Sequence, residues 1–90
     1  MLKLIVENSF DRDYKREKKS GLETELLLNI INKLQAQIPL DKKHKDHALK
    51  GDLKDFRECH LKSDLCLIYQ IREDCLHLVR LGSHSKLFKK

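Results

Sequence analysis

The chain has 90 residues, enough for one small domain over residues 1–90 with a core of about a dozen apolar side chains and no room for a second domain. Hydrophobic residues make up 40% of the sequence and charged residues 37%, a balance that indicates a globular protein and excludes a disordered one. Nineteen Lys and Arg against fourteen Asp and Glu give a net charge of +5, which favours a polyanionic partner such as nucleic acid, although many small proteins carry such a charge without one.

No apolar run reaches the length of about eighteen residues that a membrane span needs, and the apolar start of the chain turns polar too soon for a secretory signal. We therefore expect a cytoplasmic protein without membrane contact. The three cysteines, Cys59, Cys66 and Cys75, are an odd set without a C-x-x-C pair. They predict reduced, partly buried strand residues and neither a disulfide framework nor a structural zinc site.

The first predicted element is a short strand at Leu2–Val6, which is apolar and becomes β-branched towards its end. Asn8 or Ser9 is then suited to cap a helix, because its side chain can accept a hydrogen bond from a free backbone N–H of the first turn. This helix is predicted to be mostly exposed and to end at Gly21.

A second helix is predicted from Leu22, where apolar residues begin to recur at spacings of three and four. They form a stripe that is expected to pack on a sheet: Leu26, Leu27, Ile30, Ile31, Leu34 and Ile38. Pro39 ends the helix because it has no N–H to donate and disfavours helical geometry at the residue before it. The segment Pro39–Asp52 is predicted to be a loop rich in Lys and His.

After Gly51 the pattern becomes that of three strands. The predicted strands are Leu53–His60, Leu65–Ile71 and Leu76–Leu81. The links between them are short enough for hairpins, which predicts an antiparallel meander. With the first strand added, the sheet has four strands and the expected fold class is α+β. Gly82 ends the last strand, and Lys86–Lys90 is predicted to be a tail.

Imidazole, carboxylate and guanidinium groups recur at the ends of the predicted strands, where a sheet can gather distant residues into one site. Cleavage of RNA without a metal uses the neighbouring 2′-hydroxyl as the nucleophile. It needs a base for the hydroxyl proton, an acid for the leaving 5′-oxygen and cations for the phosphate. Histidine can serve in either proton transfer near neutral pH, and Arg offers a fixed charge with paired donors. These residue types therefore suit phosphodiester cleavage.

Strand periodicity relates the side chains of the first meander strand. Because alternate side chains share a face, Glu58 and His60 are expected on one face and Arg57 and Cys59 on the other. His60 therefore cannot share a face with Arg57. Adjacent Cys59 and His60 point in opposite directions, and no two close ligand pairs occur along the chain, so we expect no metal site.

The second half of the chain carries five motifs in fixed order. They are Lys45-Asp46-His47, Leu49-Lys50-Gly51, Phe56-Arg57-Glu58-Cys59-His60, Asp64-Leu65-Cys66-Leu67-Ile68-Tyr69 and Arg80-Leu81-Gly82-Ser83-His84-Ser85-Lys86-Leu87-Phe88. This set resembles the toxins of bacterial type II toxin–antitoxin systems in the RelE/ParE superfamily, specifically the YafQ-like mRNA interferases. The similarity is strongest from about His44 to Phe88, and the strand–helix–helix order before it agrees.

The resemblance implies a RelE-like fold and a toxin that cuts mRNA, typically in the ribosomal A site, while a cognate antitoxin holds it inactive. We expect no cofactor. By motif position, the resemblance implies a functional set of His47, His60, Asp64, His84 and Phe88, with Arg57, Glu58 and Arg80 as further members. Near His47 the sequence has a cluster of four lysines, Lys42, Lys43, Lys45 and Lys50. They form either a solvated loop or a basic surface that attracts RNA, with Lys45 and Lys50 as the expected RNA contacts.

Our working hypothesis gives these residues separate roles. His84 is the general acid, Asp64 or His60 the general base and Arg80 a clamp on the phosphate, while His47 positions the RNA backbone. The acid and base labels can be exchanged. Each residue also has a structural alternative: Asp64 can fix a hairpin, Arg80 can pair with Glu58 or Glu73, and Phe88 can pack in the core or stack on a base.

Two other functions stay open at this point. A ParE-like toxin blocks a protein target without cutting nucleic acid, and such chains are expected to lack the acid–base histidines. A catalytically silent RNA-binding module would keep its salt-dependent affinity after loss of His60 and His84. New 5′ ends in cellular mRNA would separate cleavage from both.

Overall fold

The structure, a computed structural model, describes residues 1–88. In chain order the elements are β1 (Lys3–Val6), α1 (Asn8–Lys19), α2 (Thr24–Gln35), β2 (His47–Ala48), β3 (Arg57–Lys62), β4 (Leu65–Arg72), β5 (Cys75–Gly82) and α3 (His84–Phe88). Two single turns of 3-10 helix, Lys42–His44 and Gly51–Leu53, flank β2. Within the described residues, none of the helices has the length and apolar character needed to cross a membrane.

The strands form one sheet in the order β1-β5-β4-β3-β2. β3, β4 and β5 are the predicted antiparallel meander, and β1 lies parallel to β5 at the edge. The α+β class is therefore confirmed. The sheet has five strands and not four. His47 and Ala48, which lie in the predicted loop, form the additional strand by pairing with Glu58 and Arg57 of β3. Two residues are too few to show the alternation by which a sequence indicates a strand.

The core lies between the sheet and α2. The buried residues of α2 are Leu27, Ile30, Ile31 and Leu34. They belong to one cluster with the buried strand residues Cys59, Leu61, Leu67, Tyr69, Leu76, Leu78 and Leu81. The alternate residues of β3 and β4, which include Glu58, His60 and Cys66, point to the opposite face of the sheet.

The second helix is one turn shorter than predicted. It ends at Gln35, and Gln37 has a left-handed backbone conformation with φ of 57°. The N–H of Gln37 donates to the carbonyl of Leu34, and the N–H of Ile38 donates to that of Lys33, which is the Schellman pattern that closes a helix. Ile38 is therefore 52% exposed and does not belong to the apolar stripe. The sequence does not indicate this end of the helix, because the left-handed position is occupied by Gln37 and not by the usual glycine.

β1 pairs with the first half of β5, from Cys75 to Leu78, and α1 lies beside the second half. There the Ser9 hydroxyl donates to the carbonyl of Val79 at 2.6 Å. The prediction that Asn8 or Ser9 caps the helix is therefore wrong. Glu7 occupies the cap position and makes no side-chain capping hydrogen bond.

Two further boundaries differ from the prediction. β3 begins at Arg57 and not at Leu53, because Gly51–Leu53 forms a 3-10 turn. The first three residues of the predicted tail belong to α3. Its last two residues lie outside the described part of the chain.

Candidate active site

Glu58 of β3 is the centre of a cluster of three histidines. Its side chain is only 2% exposed. Its Oε1 lies 3.2 Å from Nε2 of His47 and 3.7 Å from Nε2 of His60. Its Oε2 lies 3.0 Å from Nε2 of His84. Imidazoles from three separate motifs thus converge on one buried carboxylate.

Each histidine reaches this cluster from a different element. His60 follows Glu58 by two residues on β3 and so shares its face. β2 places His47 directly opposite Glu58 in the antiparallel register. His84 begins α3 just after β5 ends, and its ring centre lies 5.2 Å from that of His60.

The carboxylate of Glu58 is incompletely satisfied. Its Oε2 is buried and has no hydrogen-bond partner among residues 1–88, because the short contact with His84 lacks hydrogen-bond geometry. Burial of a charged group without full hydrogen bonding is unfavourable. Such an atom in a folded protein calls for a functional explanation, which the surrounding imidazoles supply.

His47 lies between two acceptors. Its Nδ1 is 2.5 Å from the carbonyl oxygen of Lys45, and its Nε2 faces the carboxylate of Glu58. The contact of Nδ1 is a hydrogen bond in which the ring donates, because a carbonyl oxygen only accepts. The contact of Nε2 is at ion-pair distance, and the side chain of His47 is 49% exposed.

A cavity of about 530 Å³ opens over the cluster. It is lined by His47, Leu49, Glu58, His84, Ser85 and Phe88. Polar groups face the apolar side chains of Leu49 and Phe88, an arrangement that suits the phosphate and the base of a nucleotide. Sequence reasoning did not assign roles to Leu49 and Ser85, and their only signal was their position inside two of the motifs.

Cys66 lies beside the cluster but is not a nucleophile. Its Sγ is 3.7 Å from Nδ1 of His60, because the two residues are paired across β3 and β4. Burial, reinforced by the charge of Glu58, raises the pKa of the Cys66 thiol to about 12. The thiol is therefore protonated near neutral pH and unreactive.

Four side chains of this region offer possible metal ligands. Glu58, His60, Cys66 and His84 each contribute one ligand atom, and these atoms lie within 4.8 Å of one another. The expectation of no metal site is therefore not met, because spacing along the chain does not reveal which strands pair. The pairing of β3 with β4 places His60 and Cys66 side by side. Nitrogen, sulfur and carboxylate oxygen are the donor types that zinc and copper accept.

Of the other predicted residues, Asp64, Lys45 and Lys50 are exposed and Phe88 is half-buried. Asp64 lies in the turn between β3 and β4, and its Oδ1 accepts from the backbone N–H of His84 at 3.4 Å. Asp64 therefore contacts the start of α3. Lys45 and Lys50 are exposed on either side of β2, and Phe88 stands 5.3 Å from His84 between ring centres.

The two arginines predicted for the site have partners elsewhere. Nε of Arg80 donates to Oδ2 of Asp13 on α1 at 2.6 Å. Nε of Arg57 donates to the hydroxyl of Tyr69 at 3.2 Å, on the face of the sheet that carries the core. Neither arginine lines the cavity. This geometry favours a structural ion pair for Arg80 over a clamp on the phosphate.

Comparison with protein families gives one match over nearly the whole chain. The family described as "Bacterial toxin of type II toxin-antitoxin system, YafQ" matches residues 2–89. A YafQ toxin of Haemophilus influenzae is 41% identical over 63 residues, or 66% of this chain and 62% of that protein. The mRNA interferase toxin YafQ of Escherichia coli K12 is 39% identical over 51 residues, or 57% of this chain and 55% of that protein. The chain thus spans less than two thirds of the length of these two relatives.

Solved structures share the fold. A metal-bound toxin from Helicobacter pylori is 53% identical, with a TM-score of 0.93 over 98% of this chain and 100% of that one. The Escherichia coli DinJ-YafQ complex contains a chain that is 28% identical, with a TM-score of 0.89 over 98% of this chain and 99% of that one. With the family match over residues 2–89, these similarities show that the chain belongs to the YafQ family of bacterial type II toxin–antitoxin toxins.

Proposed function

We propose that this protein is the toxin of a toxin–antitoxin pair and acts as a metal-independent endoribonuclease on mRNA. The observation that carries the proposal is the convergence of three imidazoles on buried Glu58 beneath an open cavity. The name mRNA interferase toxin, given to relatives from Escherichia coli, agrees with it. The DinJ-YafQ complex supports a cognate antitoxin as the protein partner.

The proposed reaction begins with attack of the 2′-hydroxyl on the adjacent phosphorus. A base takes the hydroxyl proton, the bond from phosphorus to the 5′-oxygen breaks, and an acid protonates that oxygen. The products are a 2′,3′-cyclic phosphate and a 5′-hydroxyl. His84 lines the cavity with a side chain that is 50% exposed and serves as the acid. His60, which is 17% exposed, or Asp64 on the rim serves as the base.

His47 takes the role that the sequence suggested for Arg80. It lines the cavity, whereas the guanidinium of Arg80 is bound to Asp13. When its ring is protonated, His47 places positive charge next to the phosphate as negative charge develops there. Glu58 orients the rings of His47 and His84 and balances their charge, as carboxylates do for histidines in many sites.

The rim of the cavity is suited to hold RNA. Lys45 and Lys50 supply positive charge for the backbone phosphates. Phe88 offers an aromatic surface on which a base can stack. The cavity has room for about one nucleotide, so we propose that the ribosome presents the message in its A site.

Primer extension on a defined mRNA tests this function. Purified wild-type protein is mixed with translating ribosomes, and new 5′ ends are mapped. Each proton-transfer residue contributes roughly 10²- to 10⁴-fold, so the His84→Gln variant is expected to cleave more slowly by that factor. The control is His77→Gln, which changes a histidine that pairs with Glu7 between β1 and β5, away from the cavity.

Two results would contradict the proposal. One is the absence of new 5′ ends with wild-type protein, which would favour a protein target or silent RNA binding. The other is a folded His84→Gln protein that cleaves as fast as the wild type and the His77→Gln control.

We also propose that this cluster binds a transition-metal ion that inhibits cleavage. The mutual proximity of the ligand atoms of Glu58, His60, Cys66 and His84 supports this second function, as does the related metal-bound toxin. A bound ion would occupy the nitrogen lone pairs of the histidines that the reaction needs.

Calorimetric titration with Zn²⁺ tests the metal site. The wild type is expected to bind one ion, and Cys66→Ser with His84→Gln is expected to lose that binding. Cleavage by the wild type should fall with added Zn²⁺ and return with EDTA. Zn²⁺ binding that is unchanged in the double variant would place the ion elsewhere.

A further inference from the structure

Asp46, Arg57 and Tyr69 form a hydrogen-bonded group, here called the Asp46 clamp, on the face of the sheet opposite the histidine cluster. We propose that the Asp46 clamp positions His47 over the cavity and is therefore needed for catalysis, although none of its members lines the cavity. The inference rests on the proposed ribonuclease function and adds three positioning residues to it.

β2 alone is a weak support for His47. It has two residues, both exposed, and it is the last strand of the sheet, paired only with β3. Pairing of this length is marginal without further contacts. Lys45 just before it adopts a left-handed conformation with φ of 47°, which is unfavourable for a lysine. The segment needs another attachment to keep His47 against Glu58.

Asp46 provides that attachment. Its Oδ1 accepts from the hydroxyl of Tyr69 at 2.5 Å and from Nε of Arg57 at 3.4 Å. Arg57 and Tyr69 are direct partners across β3 and β4, and Tyr69 is 1% exposed. Asp46, the residue before His47, is thus hydrogen-bonded to β3 and β4 on the core side of the sheet.

The side of the sheet explains how this contact orients the imidazole. Successive residues of an extended chain point to opposite faces. Holding Asp46 on the core side therefore turns His47 to the other side, where Glu58 lies 3.2 Å away. β3 supplies the partner for both contacts, Arg57 for Asp46 and Glu58 for His47. The two partners are neighbours on β3 and point to opposite faces of the sheet.

The hydroxyl of Tyr69 has no other assigned purpose in the core. A buried phenol needs a hydrogen-bond partner. Within residues 1–88, the hydroxyl of Tyr69 donates to Oδ1 of Asp46. Burial and the hydrogen bond to Asp46 raise the pKa of Tyr69 far above its ordinary value. The hydroxyl therefore keeps its proton and stays a donor to Asp46 near neutral pH.

Tyr69→Phe tests the clamp by removing the hydroxyl while keeping the ring. The matched control is Tyr14→Phe, because the ring of Tyr14 packs on Phe10 and no hydrogen bond of its hydroxyl is found within residues 1–88. The readouts are kcat and KM for RNA cleavage and the NMR order parameter of the His47 ring. Tyr69→Phe is expected to lower kcat about tenfold with little change in KM, and to lower the order parameter. Tyr14→Phe should change none of them.

Repeating the substitution in a protein that lacks the His47 imidazole separates an effect on the position of His47 from a general loss of stability. In a His47→Ala protein, Tyr69→Phe should have no further effect on kcat, because the clamp acts only through His47. An equal loss of kcat in both backgrounds would overturn the proposal, and so would an unchanged His47 order parameter in Asp46→Ala and Tyr69→Phe. If the wild type cleaves no RNA, the proposed function fails, and the order parameter alone then decides whether the clamp holds His47.

Discussion

Glu58 is a charged residue in a place that water barely reaches. Its side chain is 2% exposed, and its Oε2 lacks a hydrogen bond within residues 1–88. Burying a charge without full hydrogen bonding is unfavourable. A carboxylate in this position is explained by the three imidazoles that it faces.

Glu58→Gln is expected to lower kcat by about 10- to 100-fold, because the amide orients the imidazoles less well and does not balance their charge. Cleavage kinetics check this effect. The exposed Glu23→Gln is the control, and an unchanged kcat in Glu58→Gln would contradict the assignment.

The cysteines differ in reactivity according to their burial. Burial raises the pKa of Cys59 and of Cys66 to about 12, and both thiols are fully buried, whereas Cys75 is partly exposed. Iodoacetamide reacts with exposed thiolates. We expect native protein to be alkylated at Cys75 alone and unfolded protein at all three cysteines. Peptide mass spectrometry measures this, and early modification of Cys66 in folded protein would contradict the buried position described above.

At the scale of elements, α1 takes the place of a strand beside β5. β1 pairs with the first half of β5, and side chains of α1 then satisfy the backbone of the second half. Asp13 accepts from the N–H of Leu81 at 2.9 Å, and Nη2 of Arg16 donates to the carbonyl of Leu81 at 3.0 Å. The hydroxyl of Ser9 likewise donates to the carbonyl of Val79. These contacts protect an open strand edge and fix the end of β5 from which His84 follows.

Asp13→Asn is expected to destabilise the protein by about 1 to 3 kcal/mol near neutral pH, because it weakens the buried hydrogen bonds to Arg80 and Leu81. Burial alone raises the pKa of Asp13, but the hydrogen bonds from Arg80 and Leu81 and the charges of Arg80 and Arg16 bring the pKa below its ordinary value of 3.8. A lowered pKa means that the folded state favours the carboxylate. The stabilisation is therefore complete above the unfolded pKa and is lost as the pH falls through the lower, folded pKa.

Urea unfolding at a series of pH values measures this dependence. Asp11→Asn is the matched control, since Asp11 lies on the same helix and makes only an exposed pair with Lys15. The difference in the free energy of unfolding between wild type and Asp13→Asn should shrink under acid conditions below 3.8. A difference that is constant across this range would show that the carboxylate charge does not matter.

At the scale of the whole molecule, the excess of positive charge gains meaning from its position. The net charge is +5, and the exposed Lys45 and Lys50 lie close in sequence to His47 and Leu49, which line the cavity. Release of counterions from RNA makes binding by such residues depend on salt. Charge elsewhere on the surface contributes to solubility and to steering but less to contacts with the bound strand.

The Lys45→Ala, Lys50→Ala double variant is expected to bind RNA more weakly and to show a shallower dependence of log affinity on log salt, by about one to two in slope. Fluorescence anisotropy with a labelled RNA measures both quantities for a protein that also carries His84→Gln to prevent cleavage. Lys15→Ala with Lys19→Ala removes the same charge from α1 and serves as the control. Equal slopes for the two double variants would show that the rim lysines do not contact phosphates.

Much of the fold could be predicted from periodicity. The apolar spacing of α2 is a strong signal because the helix is long and has one buried face. The apolar runs of β4 and β5, separated by a short polar link, indicate strands. β2 was missed because pairing with β3, and not its own sequence, makes His47 and Ala48 a strand. The end of α2 was misplaced because Gln37 adopts the left-handed conformation without the glycine that usually marks it.

The site was predictable in part. The motifs indicated His47, His60 and His84 together, and the structure brings these side chains to one carboxylate. The partner of Arg80 could not be predicted, because Asp13 lies on α1, far away in the sequence, where spacing gives no guide. The proximity of Cys66 to His60 was missed for the same reason, since the register of two strands determines it.

The parallel pairing of β1 with β5 joins residues from opposite ends of the described chain, as Lys3 lies beside Cys75. Closing so long a loop is entropically unfavourable, whereas the hairpins of the meander need only short ones. We therefore expect the meander to form early in folding and β1 to dock last. β1 also has only exposed residues, so its amide protons should exchange with solvent sooner than those of β4, and the sheet should begin to open from that edge.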